Sequence, residues 1–228
     1  SGPVVVQNLK ARINHSQWFA GIRQIYSEIS TTFTSNRDNG FEFEKTNISS
    51  GLGLMLEYDS RNNPMNPEKG FNYQLRTTRF DEAIGSDINY DQHYFKGLNY
   101  WQLSDDFNFA LRLQFDEVTS DSNKPLPPYI APSIDLRGIP AIRYQGNQVA
   151  VGEVELTWKL TQRWRLNTFT GAGRTASDFD ELSNAESINN YGIGFRYLIA
   201  KRYGFTMGTD IAKGPEDTVF YIKAGSSW

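Results

Sequence analysis

From Phe107 to Asp116 the chain alternates without a break. Phe107, Phe109, Leu111, Leu113 and Phe115 fall on one side, and Asn108, Ala110, Arg112, Gln114 and Asp116 on the other. A period of two belongs to a strand with unlike faces. Such runs here reach ten residues or more, beyond the usual soluble strand of about five or six and close to the nine to eleven that span a bilayer. One side suits lipid and the other a wet interior.

The same pattern recurs. Leu52, Leu54, Leu56 and Tyr58 alternate with Gly51, Gly53, Met55, Glu57 and Asp59. Phe71, Tyr73 and Leu75 alternate with Asn72, Gln74 and Arg76, and a further strand is expected from about Tyr90 to Leu103. Later come Val154, Leu156 and Trp158 against Glu153 and Glu155, then a strand from Trp164 to Arg174. Tyr191, Ile193, Phe195, Tyr197 and Ile199 follow, then Phe205, Met207, Thr209 and Ile211. The last strand is expected to place Phe220, Ile222, Ala224, Ser226 and Trp228 on one face. Before Phe41 two readings compete. Phe19 to Phe33 alternates through Gly21, Arg23, Ile25, Ser27, Ile29 and Thr31, yet Trp18, Ile22, Ile25 and Ile29 also fit helical spacing. The β-branched and aromatic end of this stretch favours two strands joined near His15.

Connections alternate in length: short at 104–106, 161–163 and 201–204, longer at 80–89, 117–146 and 175–188. Short turns on one rim and long loops on the other are the pattern of an outer-membrane barrel, as are aromatics gathered at strand ends. A soluble β-sandwich also alternates, but with shorter strands. The stretch from Asp116 to Tyr144 is the longest gap. It holds Pro125, Pro127, Pro128 and Pro132, so it is neither a helix nor a central strand. A loop of that length in a compact domain is usually functional. The mean hydropathy of -0.54 fits a barrel whose strands are half polar. No run of eighteen apolar residues marks a membrane helix. The net charge of -3 argues against a nucleic-acid footprint. Without cysteine, disulfides and thiolate metal sites are excluded. With no signal peptide at the start, a surface protein of this sequence would be a processed chain or a fragment.

These residues carry a family resemblance. YDSRNNPMNPEKGF (58–71) resembles the periplasmic turn of the BamA/TamA superfamily, the bacterial surface-antigen barrels. Leu136-Arg137-Gly138 resembles that superfamily's loop motif, with Ile139-Pro140 where an aromatic usually follows. VELTW (154–158) resembles the next strand, where a glutamate contacts the loop arginine, which puts that role on Glu155. FTGAG (169–173) is similar to the following strand, with Gly171 where an aspartate is expected. The resemblance runs from about residue 40 to the end and implies a sixteen-stranded transmembrane antiparallel β-barrel of the bacterial outer membrane. This chain would supply about eleven of its strands as one domain over 1–228, with N-terminal strands upstream. It most resembles the shorter members that lack POTRA domains. The implied function is insertion or translocation of outer-membrane proteins. The implied partners are unfolded outer-membrane protein clients, lipid and lipopolysaccharide. A passive pore, or the membrane anchor of a removed passenger, is the competing reading.

The resemblance also implies that the long loop folds inward and is pinned by Arg137 and Gly138 against Glu155, with Phe169 beneath the guanidinium and Gly171 leaving room. A buried arginine demands a carboxylate, since breaking a buried pair costs about 3–5 kcal/mol; with Gly171 in place of the aspartate, Glu153 is a further candidate. An exposed loop arginine is the plainer alternative. No enzyme site is expected: there is no G-x-S-x-G, and His15 and His93 have no ligand-spaced partners. GAGRTA (171–176) lacks the helix of a nucleotide loop. Asp178, Asp180 and Glu181 read as a solvated acidic loop rather than a cation site. No cofactor is expected.

Overall fold

Strand follows strand because alternation leaves each segment one apolar face to bury or to give to lipid. The computed structural model describes residues 2–34, 42–120, 126–226 and 228, without the side chains of 31–34 and 42–45. The assignments made for Thr31, Phe33, Phe41 and Pro125 lie outside the described residues or side chains. Eleven strands run in order: β1 (Val4–Arg12), β2 (Trp18–Thr34), β3 (Glu42–Asp59), β4 (Gly70–Phe80), β5 (Tyr90–Gln102), β6 (Phe107–Thr119), β7 (Gln148–Lys159), β8 (Trp164–Ala176), β9 (Ile188–Ala200), β10 (Phe205–Lys213) and β11 (Thr218–Ala224). They form one antiparallel sheet in sequence order, with β1 and β11 at its edges. A four-residue helix, α1 (Phe179–Leu182), lies inside the acidic connection, where the sequence pattern predicts a solvated loop. Among the described residues no helix is long and apolar enough to cross a membrane.

The N-terminal stretch is two strands. A turn after Arg12, closed by the Ile13 N–H donating to the Trp18 carbonyl at 2.8 Å, joins β1 to β2. The competing helical spacing fails physically. Trp18 and Ile22 point outward, whereas Ile25 faces the interior and packs near Phe80 and Tyr90.

The outward face carries exposed apolar side chains on every strand, with Leu54 64% and Ile222 75% exposed. Near the short-turn rim it carries aromatics in ring contact: Trp18 with Tyr58 at 5.1 Å, Tyr58 with Tyr73 at 6.4 Å, and Phe71 with Trp101 at 6.2 Å. Phe107 with Trp158 at 6.0 Å and Trp164 with Tyr197 at 4.9 Å extend the belt across the later strands. Amphipathic rings collect at this depth because one end is apolar and the other wet.

The sheet curls strongly. The β3–β4 connection crosses beneath the interior to meet strands far away in order. Glu68 pairs with Lys159 at 2.9 Å and with Arg165 at 3.1 Å, and Arg165 donates to Asn66 at 3.0 Å. Asn63 Nδ2 donates to the Tyr203 carbonyl at 3.0 Å.

One expectation is corrected. Trp228 does not continue the outward face of β11. That strand ends at Ala224, Gly225 takes φ +81°, and the indole turns into the interior to meet Glu153. A left-handed glycine breaks the alternation that the sequence pattern extrapolates.

Candidate functional site: the inward loop and its charge cluster

The segment 126–147 between β6 and β7 packs against the interior face of the sheet. Its path is set locally. The Ile130 N–H closes a turn on the Pro127 carbonyl at 2.9 Å, and Ile134 N–H donates to Tyr144 carbonyl at 2.9 Å across a narrow hairpin bridged at Ser133 and Gln145. At the hairpin tip the Ile139 N–H donates to the Leu136 carbonyl at 3.1 Å, with Gly138 at φ +85°. That is a type II turn, whose third residue must be glycine or nearly so, and it projects the second residue, Arg137, off the tip.

Two apolar contacts seat the loop. Ile134, Leu136 and Ile139 are buried with Val149, Val151 and Ile188, and Ile130 is buried with Phe80, Tyr90 and Val118. Fully burying each such side chain contributes about 1.5–3 kcal/mol. The wall is cut away to receive them: a Cβ on Gly173 would lie 2.6 Å from Ile134 Cγ2, and one on Gly171 would lie 2.9 Å from Leu136 Cδ2.

Arg137 then enters a closed cluster with its side chain 5% exposed. Its Nε donates to Glu153 Oε1 at 3.0 Å, and its Nη1 donates to Glu155 Oε2 at 2.7 Å and to Asp210 Oδ2 at 3.2 Å. Its guanidinium carbon sits 3.4 Å from the centre of the Phe169 ring and 5.6 Å from that of Trp228. Strand alternation aims the acids: Glu153 and Glu155 face inward because Leu156 and Trp158 face out, and Asp210 because Met207 and Ile211 do. A second cation, Arg196 of β9, grips Asp210 with two bonds, at 2.6 and 2.9 Å. Three carboxylates thus meet two guanidinium groups, and neutral donors take up the excess negative charge. Asn190 Nδ2 donates to Glu153 at 3.1 Å and to the Arg137 carbonyl at 2.8 Å, Asn167 Nδ2 to Asp210 at 3.3 Å, and Trp228 Nε1 to Glu153 at 2.5 Å. Such a network is stable only when its members are satisfied.

The loop also grips the last hairpin. Gly138 N–H donates to Tyr221 Oη at 2.9 Å, and the Gly138 and Gly214 backbones are so close that a Cβ on Gly214 would lie 2.2 Å from the Gly138 carbonyl oxygen. Outside the interior, Arg143 Nε and Tyr144 Oη both donate to Glu216 Oε1, at 2.8 and 3.0 Å. Those bonds hold the Glu216 carboxyl below its ordinary range.

The structure therefore brings Arg137, Glu155 and Phe169 together and adds Glu153. Gly171 has a different place from the aspartate the resemblance expects. A side chain there would meet Asn190 Oδ1 at 2.7 Å and the Gly152 carbonyl at 2.8 Å, and the further acid comes from Asp210. Asp210, Arg196, Asn167, Asn190 and Trp228 were not singled out from sequence. The inward register of Asp210 and Arg196 was readable; which charges meet across a curled sheet was not. Among the described residues no group of histidine and acidic side chains is arranged to hold a metal ion. His15 and His93 are exposed and far apart in the chain.

No curated protein matches the chain significantly. Among solved structures it is similar to BamA from Haemophilus ducreyi lacking POTRA domains 1-3, with a TM-score of 0.70, at 14% identity, over 96% of this chain and 52% of that one. The chain thus spans about half the length of that protein, and at this identity the likeness is one of fold. The family model for the Omp85 superfamily domain matches residues 21–228, from within β2 to the last residue. Eleven antiparallel strands with an apolar outer face, together with a family match over nearly the whole chain, lead to one conclusion: this chain belongs to the Omp85 superfamily, as a BamA/TamA-type barrel of the outer membrane.

Proposed function

We propose that this protein takes part in inserting outer-membrane proteins or moving them across the bacterial outer membrane, with unfolded outer-membrane proteins as its clients. Membership of the Omp85 superfamily and the fold shared with BamA support the general role. The observation that carries the particular mechanism is the grip of the loop on the last hairpin: Arg137 on Asp210 of β10 and Gly138 on Tyr221 of β11. In this reading Arg137, Gly138, Glu155 and Phe169 act with Glu153 and Asp210 as a lock that holds β11 in a fixed pose. A fixed edge offers a regular row of backbone donors and acceptors on which a client strand pairs by β-augmentation. The outer apolar face and aromatic belt meet lipid and lipopolysaccharide.

The test is capture of clients at that edge. A photo-crosslinking residue at Ile222, exposed on β11, should trap unfolded outer-membrane proteins in cells. Arg137→Ala should reduce that capture while the barrel still reaches the membrane. Capture that is absent, or equal in both proteins, would favour a passive pore or anchor.

A further inference from the structure

The interior face of β2 to β6, which reaches the lock where Arg112 pairs in register with Glu153, carries cations that the lock does not use. Arg23 of β2, Arg76 of β4, Lys96 of β5 and Arg112 of β6 all lie on inward-facing positions. Among the described residues no carboxylate comes within ion-pair distance of Arg23, Arg76 or Lys96. Arg112, 5% exposed, donates through Nη2 to the Asp135 carbonyl and lies 3.6 Å from the Asp135 carboxylate, yet its buried Nε has no partner. The buried Nε of Arg76 is also without one, although its guanidinium sits 3.7 Å from the centre of the Tyr94 ring. Buried guanidinium donors left unpaired call for a counter-ion or ordered water.

A cavity of about 200 Å³ opens between this wall and the inward loop, lined by Arg23, Arg76, Thr78, Gln92, Tyr94 and Asp116, with Ile130 and Pro132 of the loop over it. We propose that this cavity is a binding site for a phosphate group carried by a water-soluble molecule. Its donors are those of an oxyanion site: two guanidinium groups, a hydroxyl, an amide and a phenol around one space. Of the two acids in the lining, Glu117 accepts from Gln148 Nε2 at 2.8 Å, and Asp116 selects among oxyanions. Gln114 Nε2 donates to Asp116 Oδ2 at 2.7 Å, and the other carboxylate oxygen can accept a further proton. Monohydrogen phosphate carries an O–H that can donate there; sulfate carries none and would set its charge against the carboxylate. The source is soluble rather than lipid because these residues face the interior, while the outward positions beside them, Leu75 and Phe95, form the apolar face.

The test uses the full chain folded in an uncharged detergent, titrated calorimetrically with inorganic phosphate at constant ionic strength. Saturable binding is expected, with sulfate weaker by about tenfold or more, the scale of one lost charge-assisted hydrogen bond. Arg76→Gln should weaken phosphate binding by a similar factor, and Asp116→Asn should narrow the gap between phosphate and sulfate. Arg76→Lys should restore part of the affinity, and Arg202→Gln, exposed in the turn between β9 and β10, should change nothing. Heat-shifted migration on a gel checks that each variant is folded. Absent binding, equal affinity in Arg76→Gln, or sulfate binding as well as phosphate would overturn the proposal. So would displacement of phosphate by short-chain phosphatidylglycerol, which would reassign the source to lipid.

Discussion

At Gly171 a missing side chain decides how the charge cluster is built. The family pattern expects an aspartate at this position, but the space belongs to Leu136 and Asn190, and the additional acid is Asp210 from another strand. Putting the aspartate back should therefore harm the protein. Gly171→Asp would press a Cβ to 2.8 Å from the Gly152 carbonyl, which is backbone and cannot swing aside. It would also add a fourth carboxylate to a cluster in which three already face two guanidinium groups. Overpacking alone costs about 1–3 kcal/mol. The denaturant midpoint of the folded chain in lipid vesicles should fall; an unchanged or raised midpoint would show that the cluster has room for another acid.

The elements that matter are the loop hairpin and the β10–β11 hairpin it touches. Outside the interior their contact runs through Glu216, whose carboxyl is held below its ordinary 4.5 by the bonds from Arg143 and Tyr144. A lowered folded-state pKa means that the contact contributes fully above the ordinary glutamate value and is lost as pH falls through the lowered one. Spin labels at Ile142 and Asp217 should report a narrow distance distribution at neutral pH that broadens as pH falls below the ordinary glutamate value and through the lowered one. Glu216→Gln should broaden it at neutral pH as well. A distribution narrow at every pH would mean that the apolar seat alone fixes the hairpin tip. The strands themselves were legible, since a period of two survives any curl of the sheet. The site was legible only in part. Arg137 and Glu155 carried a motif, whereas the meeting of Arg137 with Asp210 depends on curvature between strands that do not pair. The inward turn of Trp228 depends on one left-handed backbone angle at Gly225, which alternation cannot show.

Over the whole molecule, one curled sheet has mostly short connections on one rim and mostly long ones on the other, the long β3–β4 connection and the tight β10–β11 turn excepted, with the loop packed against its interior face. The long-loop rim should lie outside the cell. Asn184 and Gln162 are both exposed, on opposite rims. An impermeant maleimide added to intact cells should label Asn184→Cys and not Gln162→Cys, and the reverse would invert the topology. Arg137 ties the loop to the distant last hairpin as one unit. A double-mutant cycle on Arg137→Ala and Asp210→Asn tests it most directly, read as unfolding free energies in lipid vesicles. Losing Arg137 strands buried carboxylates and should cost about 3–5 kcal/mol. If the two groups act together, the double variant should be less damaged than the sum of the singles, with a coupling of about 0.5–3 kcal/mol. Losses that simply add would mean that the long loop rests against the wall without holding it.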